Sequence, residues 1–223
     1  MTDIPEDVKA RRPYRSERRR EQAEETRERV LEAAARLFGQ RGFESATIAA
    51  IAAEAGVAPE TVYAGFRNKR TLLGELIRRA VRGVEGAPVP QQSGPRALAA
   101  VTDQREQLRL FAADVSLRLE RVGPLVEVLT TAALSEPELA GLLAKIHSER
   151  LANLRALVAA LSANGPLRQD AEAALDTVWA LASPDLYRLL TQTRAWSREA
   201  YCEWLSDALA VLLLRSGADV PAA

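Results

Sequence analysis

Between Ile48 and Phe66 the apolar residues recur at helical spacing, stop at a glycine, and resume behind a proline. Ile48, Ile51, Ala52 and Ala55 form the i, i+3, i+4, i+7 set that lines one face of a helix. Thr47 stands just before that set as a candidate N-cap, and Gly56 just after it, where only glycine enters the left-handed cap conformation cheaply. Pro59 suits a first helical position, since its missing N–H has no partner there anyway. Val62 and Phe66, four apart, then face inward together. In the turn "AEAGVA" small residues let the two helices approach, with Val57 expected to be buried in their angle. Two short helices joined by a tight glycine turn make a helix-turn-helix.

The rest of the chain reads as all-α. A long helix starts at Ser16, keeps Ala23, Val30, Ala34, Leu37 and Phe38 at helical spacing, and stops at Gly42. Asn68 can cap a fourth helix carrying Leu72, Leu73, Leu76, Ile77 and Ala80. "GVEGAPVPQQSGP", Gly83 to Pro95, reads as a linker. Beyond it the pattern predicts helices near 96–121, 124–134, 137–163, 168–182, 184–193 and 197–215, with Pro124, Pro137, Pro166 and Pro184 marking their starts. No credible strand pattern appears. The expected division is a disordered basic arm over 1–15, a DNA-binding head over 16–85 and a helical body over 86–223.

Composition narrows the class of molecule. With 48% hydrophobic residues the chain can build a core, yet no window approaches the ~18 unbroken apolar residues of a membrane span. The polar N-terminus does not read as a signal peptide. Cys202 is the single cysteine, which excludes an internal disulfide framework, fits a cytoplasmic protein and reads as a packing residue. The net charge is zero but uneven: residues 1–85 hold 17 Lys and Arg against 14 Asp and Glu, and residues 86–223 hold 13 against 16. The sharpest cluster is "KARRPYRSERRR", Lys9 to Arg20, with seven cations and one acid. Two readings of it stand: a solvated tail, or an arm whose Arg18, Arg19 and Arg20 neutralise phosphates.

The second helix of the pair is the natural probe for a DNA major groove. With Val62 and Phe66 turned inward, its outward face offers Glu60, Thr61, Tyr63, Ala64 and Gly65. Thr61 can donate to a phosphate or touch a thymine methyl, and the Tyr63 hydroxyl can reach a phosphate from an apolar lever. Ala64 and Gly65 let the helix backbone approach the groove. Lys69, at the start of the fourth helix, places a cation beside unsatisfied N–H groups, which suits a phosphate. The competing reading is a plain helical hairpin with a half-buried tyrosine and solvated cations.

The stretch "FESATIAAIAAEAGVAPETVYAGFRNKRTLLGEL" closely resembles the TetR family of transcriptional regulators, and "RVLEAAARLFGQRG" resembles that family's first helix. The resemblance covers about residues 25–80. It implies a three-helix DNA-binding head, an all-helical ligand-binding body, and a homodimer joined mainly by the last two long helices. DNA contacts then map to the N-terminus of the helix starting at Thr47, to the recognition helix, and to Tyr63 and Lys69. Ala58 departs from the family pattern, which often has serine there, and Gly65 stands where a tyrosine or histidine is common. The C-terminal "LASPDLYRLLTQTRAWSREAYCEWLSDAL" also looks like the end of many members. On that likeness Leu175, Trp179, Trp204, Leu205, Leu209 and Leu212 are candidates for a dimer seam. Their wide apolar faces need burial against something, and burial within the monomer is the alternative.

Phe111, Trp179, Tyr187 and Trp196 are candidate pocket walls, with Asp114, Arg118 and Arg150 as candidate polar groups. His147, the only histidine, shares a stripe with Leu143, Ile146, Arg150 and Leu151 and is expected in the core or lining the pocket. With no second histidine, no CxxC, no phosphate loop and no nucleophile elbow, neither a metal, nor another cofactor, nor an enzyme is expected. These residues point to a one-component regulator, repressing more often than activating in the resembling family. It would bind a palindromic double-stranded DNA operator as a homodimer and respond to a small lipophilic or aromatic effector, with no membrane association. The alternative is an architectural DNA binder without an effector.

Overall fold

A computed structural model describes residues 11–215. Those residues form ten α-helices, and the sole strand-like feature among them is an isolated bridge between Leu167 and Leu214. The chain divides into two compact units, the first ending at Leu76 and the second beginning at Ile77.

The head comprises α1 (Arg11–Ser45), α2 (Ile48–Ala55), α3 (Pro59–Phe66) and the start of α4 (Lys69–Arg82). Helix α1 begins at Arg11 rather than at Ser16, so the end of the expected arm is helical, while residues 1–10 lie outside the described residues. Gly42 interrupts α1 with φ 73°, ψ 174°, at the place its sequence marks as a stop. Val30, Leu31, Ala34, Leu37 and Phe38 are buried, and Ala23 is exposed. They pack in a core with Ile51, Ala52, Val62, Phe66, Leu72 and Leu73. Thr47 caps α2, accepting from the Ala50 N–H at 3.1 Å, and Asn68 caps α4, accepting from the Thr71 N–H at 2.8 Å. Val57 is half-buried in the turn rather than sealed inside it.

The body holds the end of α4, then α5 (Ser93–Ala99), α6 (Gln104–Ala132), α7 (Pro137–Asn164), α8 (Ala171–Leu181), α9 (Pro184–Arg188) and α10 (Arg198–Leu213). One turn of π-helix, Leu189–Thr193, extends α9. Two boundaries differ from the sequence reading. The expected helix over 96–121 is split at 100–103, because the Asp103 carboxylate caps a new helix by accepting from the Arg105 N–H at 2.8 Å. Pro124 does not start a helix but lies inside the 29-residue α6. Proline crowds the Cβ of the residue before it, and Gly123 has none. Val122, Val126 and Leu129 then continue the buried stripe of Leu108, Ala112, Val115 and Leu119 across the proline.

The unit boundary falls inside α4, ahead of the Gly/Pro-rich stretch that reads as a linker. That stretch is held rather than slack. Gln92 is 3% exposed, and its side-chain amide donates to the carbonyls of Val81 (3.3 Å), Arg82 (3.2 Å) and Ala87 (2.9 Å). Those groups include the end of α4, which has no helical donors left. Arg118 of α6 donates to the Gln92 side-chain oxygen at 3.0 Å and to Asp114 at 2.8 Å, and Arg121 donates to the Ala80 carbonyl at 3.2 Å. Glu85 accepts from the Ser93 N–H and hydroxyl, bonds that pull its carboxyl below the ordinary range. The body core gathers Leu108, Val115, Leu157, Leu161, Leu175, Val178, Tyr201, Leu205 and Leu209 from α6, α7, α8 and α10.

Candidate functional site

On α3 the geometry follows from its two inward residues. Val62 and Phe66 are buried, which turns Glu60, Thr61, Tyr63, Ala64 and Gly65 outward and exposed, with Tyr63 at 53%. The turn that aims the helix rests on Gly56, at φ 66°, ψ 38°, whose N–H reaches back to the carbonyls of Ala52 and Ala53. Ala58 makes no side-chain cap, as its methyl requires, and the Thr61 N–H bonds the Ala58 carbonyl at 3.0 Å. A side chain at Gly65 would meet nothing within 4 Å, so glycine there leaves open space on the outward face. At the far end Arg67 adopts φ 60°, ψ −48° while the Asn68 N–H bonds the Phe66 carbonyl at 2.6 Å. That is a strained positive-φ γ-turn, which ends α3 abruptly and starts α4.

Arg27 holds α3 from the other side, and nothing in the residue spacing announces it. Its guanidinium lies 4.4 Å over the Phe66 ring, pairs with Glu75 at 3.1 Å and reaches the Gly65 carbonyl at 3.4 Å. Between α1 and α3 runs a groove of about 710 Å³ lined by Arg19, Arg20, Arg27, Thr61, Ala64 and Gly65, among others. The basic turn of α1 and the outward face of α3 thus share one surface. Arg18, in the same turn, is exposed but does not line that groove. Lys69 is placed differently from its expected phosphate contact. Its ammonium donates to the carbonyls of Phe43 (2.5 Å) and Glu44 (3.1 Å) and sits 4.2 Å over the Phe43 ring, closing the end of α1.

In the body His147, Arg150 and Trp179 come together, while Phe111, Asp114 and Tyr187 lie in other settings. Phe111 is core, and Asp114 is paired with Arg118. His147 is exposed, contrary to its expected core position, because it falls on the solvent side of α7, edge-on to Trp179 at 5.6 Å. Arg150 stacks 3.9 Å over Trp179 and donates to that residue's carbonyl at 2.6 Å. Burial pulls the Arg150 guanidinium down to about 10. Tyr187 lines a cavity of about 270 Å³ with Leu119, Glu120, Pro124, Trp196 and Arg198. Of the dimer candidates, Leu175, Leu205 and Leu209 lie in the body's own core at 2% exposure or less. A side chain already sealed within one chain has no surface left to give a partner, so these three are not seam residues. Leu212 remains outward at 44%, and Trp179 and Trp204 are half-buried. Among the described residues no helix is long and apolar enough to cross a membrane, and no cluster of three metal-ligating side chains occurs.

An exposed probe helix, set by a glycine turn on a three-helix head and joined to an all-helical body, defines a helix-turn-helix protein. Residues 30–76 match the model of bacterial regulatory proteins of the tetR family. Over 57 residues the chain is 39% identical to the HTH-type transcriptional regulator AcrR of Shigella flexneri, covering 26% of each chain. Over 60 residues it is 43% identical to the HTH-type transcriptional regulator TtgR of Pseudomonas putida, covering 27% of this chain and 29% of TtgR. The matched segment therefore spans between a quarter and a third of these relatives. Structural likeness extends further. The secondary repressor NalD of Pseudomonas aeruginosa superposes with a TM-score of 0.64 over 87% of this chain and 98% of its own, at 22% identity. A transcriptional regulator from Saccharomonospora viridis, in complex with choline, gives 0.67 over 86% and 100%, at 24% identity. At these identities the structures establish the fold. Residues 30–76 thus resemble the DNA-binding segment of tetR-family regulators, and the chain shares the all-helical fold of the structures it superposes on.

Proposed function

We propose that this protein is a one-component, ligand-responsive transcriptional repressor. It binds a palindromic operator as a homodimer and releases it when a small lipophilic or aromatic molecule occupies the body. The observation that carries the DNA half is the outward face of α3 lying on the same surface as the arginine-lined groove of α1. Phosphates take the arginines and the Tyr63 hydroxyl, which position the helix, and Thr61 meets base edges. Glu60 sits poorly beside phosphates and serves better facing a neighbouring arginine. The effector half is supported by α4, whose last carbonyls are gripped through Gln92 and Arg121 by body elements while its first turn belongs to the head. An effector that binds one state about 100-fold better than the other supplies about 2.7 kcal/mol of coupling, and operator DNA then weakens effector binding by the same factor.

The test is the salt dependence of DNA binding. Replacing Arg19 and Arg20 by glutamine should weaken binding to all sequences. For a dimer the slope of log K against log salt should become shallower by about 4, since each lost phosphate contact removes about 0.9. An unchanged slope would remove the basic turn of α1 from the interface.

A further inference from the structure

Three irregularities of the body backbone meet at the 270 Å³ cavity. Pro124 lies in mid-helix and has no N–H to offer the carbonyl of Glu120, one turn back. Across from it the π turn Leu189–Thr193 widens the chain after α9, with the Arg194 N–H bonding the Leu189 carbonyl at 3.1 Å. Ala195 then takes φ 56°, which is unfavourable for a residue with a side chain, and delivers Trp196 to the cavity wall. π turns and positive-φ residues are costly and gather where a ligand is held.

The walls are fixed before any ligand arrives. Tyr187 stands edge-on to Tyr201 at 4.8 Å, and the Tyr201 hydroxyl donates to the Leu181 carbonyl at 2.9 Å. Trp196 stands edge-on to Trp204 at 5.9 Å. The lining includes two guanidiniums, Arg188 and Arg198, and one carboxylate, Glu120, while Glu127 and Glu199 also pair with those arginines. Arg188 Nε is 3.8 Å from Glu127 and Arg198 Nε is 3.6 Å from Glu120, each beyond hydrogen-bond reach. Arg198 also bonds its neighbour Glu199, which leaves other donors of its five-donor fork for the cavity. Trp196 and Arg198 flank Ser197, the N-cap of the 16-residue α10, so the positive end of that helix lies beside them.

We infer that this cavity binds a small planar carboxylate, an aromatic acid whose ring lies against Tyr187 and Trp196 and whose carboxylate takes Arg198 and Arg188. Glu120 is the internal competitor that the ligand displaces from Arg198. At about 270 Å³ the site is at the small end for ligand pockets, which favours a compact ring over a long acyl chain. The inference rests on the proposed sensing role only in making this ligand the effector.

The test uses the full chain, 2-naphthoate and benzoate as probes, choline as the contrasting cation, and calorimetry with tryptophan fluorescence as readouts. Wild type should bind the acids and not choline. Arg198→Gln should weaken naphthoate about tenfold or more, as loss of a charge-assisted bond does. Glu120→Gln should tighten it several-fold, because the competitor is gone; a merely structural Glu120 would not produce a gain. If Arg198→Gln fails to fold, Glu120→Gln and Arg188→Gln decide. Unchanged or weaker binding in Glu120→Gln, or binding of choline in place of the acids, would overturn the assignment. Operator affinity separates the two claims. Acids that bind with this mutational pattern but leave operator affinity untouched support the site and count against its role as the sensor. Operator release by other compounds, with no acid bound here, refutes the site and leaves the regulator reading intact.

Discussion

Leu205→Glu should unfold the body. Leu205 is fully buried on α10 in the hydrophobic core it shares with α6, α7 and α8. Burying an unpaired charge there costs on the order of 5 kcal/mol, a large share of a domain's stability. Leu212→Glu, on the outward side of the same helix, should behave differently. At 44% exposure its carboxylate stays hydrated, so the fold persists while self-association through that face is lost. Thermal melting followed by circular dichroism, with light scattering for mass, separates the two. A Leu205→Glu protein that melts within a few degrees of wild type would contradict the assignment of Leu205 to the monomer core. A Leu212→Glu protein with unchanged mass would take Leu212 out of the dimer seam.

Phe66→Ala should abolish operator binding without touching a single outward residue of α3. Phe66 is 3% exposed, anchors the end of the recognition helix and carries Arg27 against its ring. Truncation of a buried phenylalanine costs about 3–5 kcal/mol, and a head of short helices has little more than that to lose. The amides of α2 and α3 should then exchange rapidly with solvent, and specific DNA affinity should fall to the non-specific level. Native-like protection together with native affinity would show that α3 is held by something other than its buried pair.

The head is legible in the sequence because its information is local. Ile51, Ala52, Ala55, Gly56, Pro59, Val62 and Phe66 each act within one or two helical turns, so spacing alone places the buried and outward faces. Thr47 and Asn68 are capping residues whose side-chain oxygens accept from N–H groups three positions away. Arg27 leaves no such signature because its partners lie far along the chain, at Gly65, Phe66 and Glu75. Lys69 reads as a phosphate ligand because a helix N-terminus favours that, yet the carbonyls of Phe43 and Glu44 come to it first. In the body, the wide apolar face of α10 says that Leu205 and Leu209 are buried but not by what. Sequence likeness points to a second chain, and tertiary packing supplies the first. His147 shows the limit of a stripe on a long helix, since Leu154, Leu157, Val158 and Leu161 lie in the core, and Leu151 packs against it, while His147 one turn earlier is exposed. The cavity at Tyr187 has no sequence signature beyond Pro124, because a π turn follows from packing and not from composition.

The central claim is that α3 reads DNA as one of a symmetric pair. Selection of bound sequences from a random duplex pool, using the full chain, tests it most directly. The enriched motif should have two-fold symmetry, its half-sites centred one helical turn of about 34 Å apart or a multiple of it. A Thr61 substitution should change the preferred bases within each half-site. A pool that shows no enriched motif after repeated rounds, with equal affinity for every sequence, would contradict that claim.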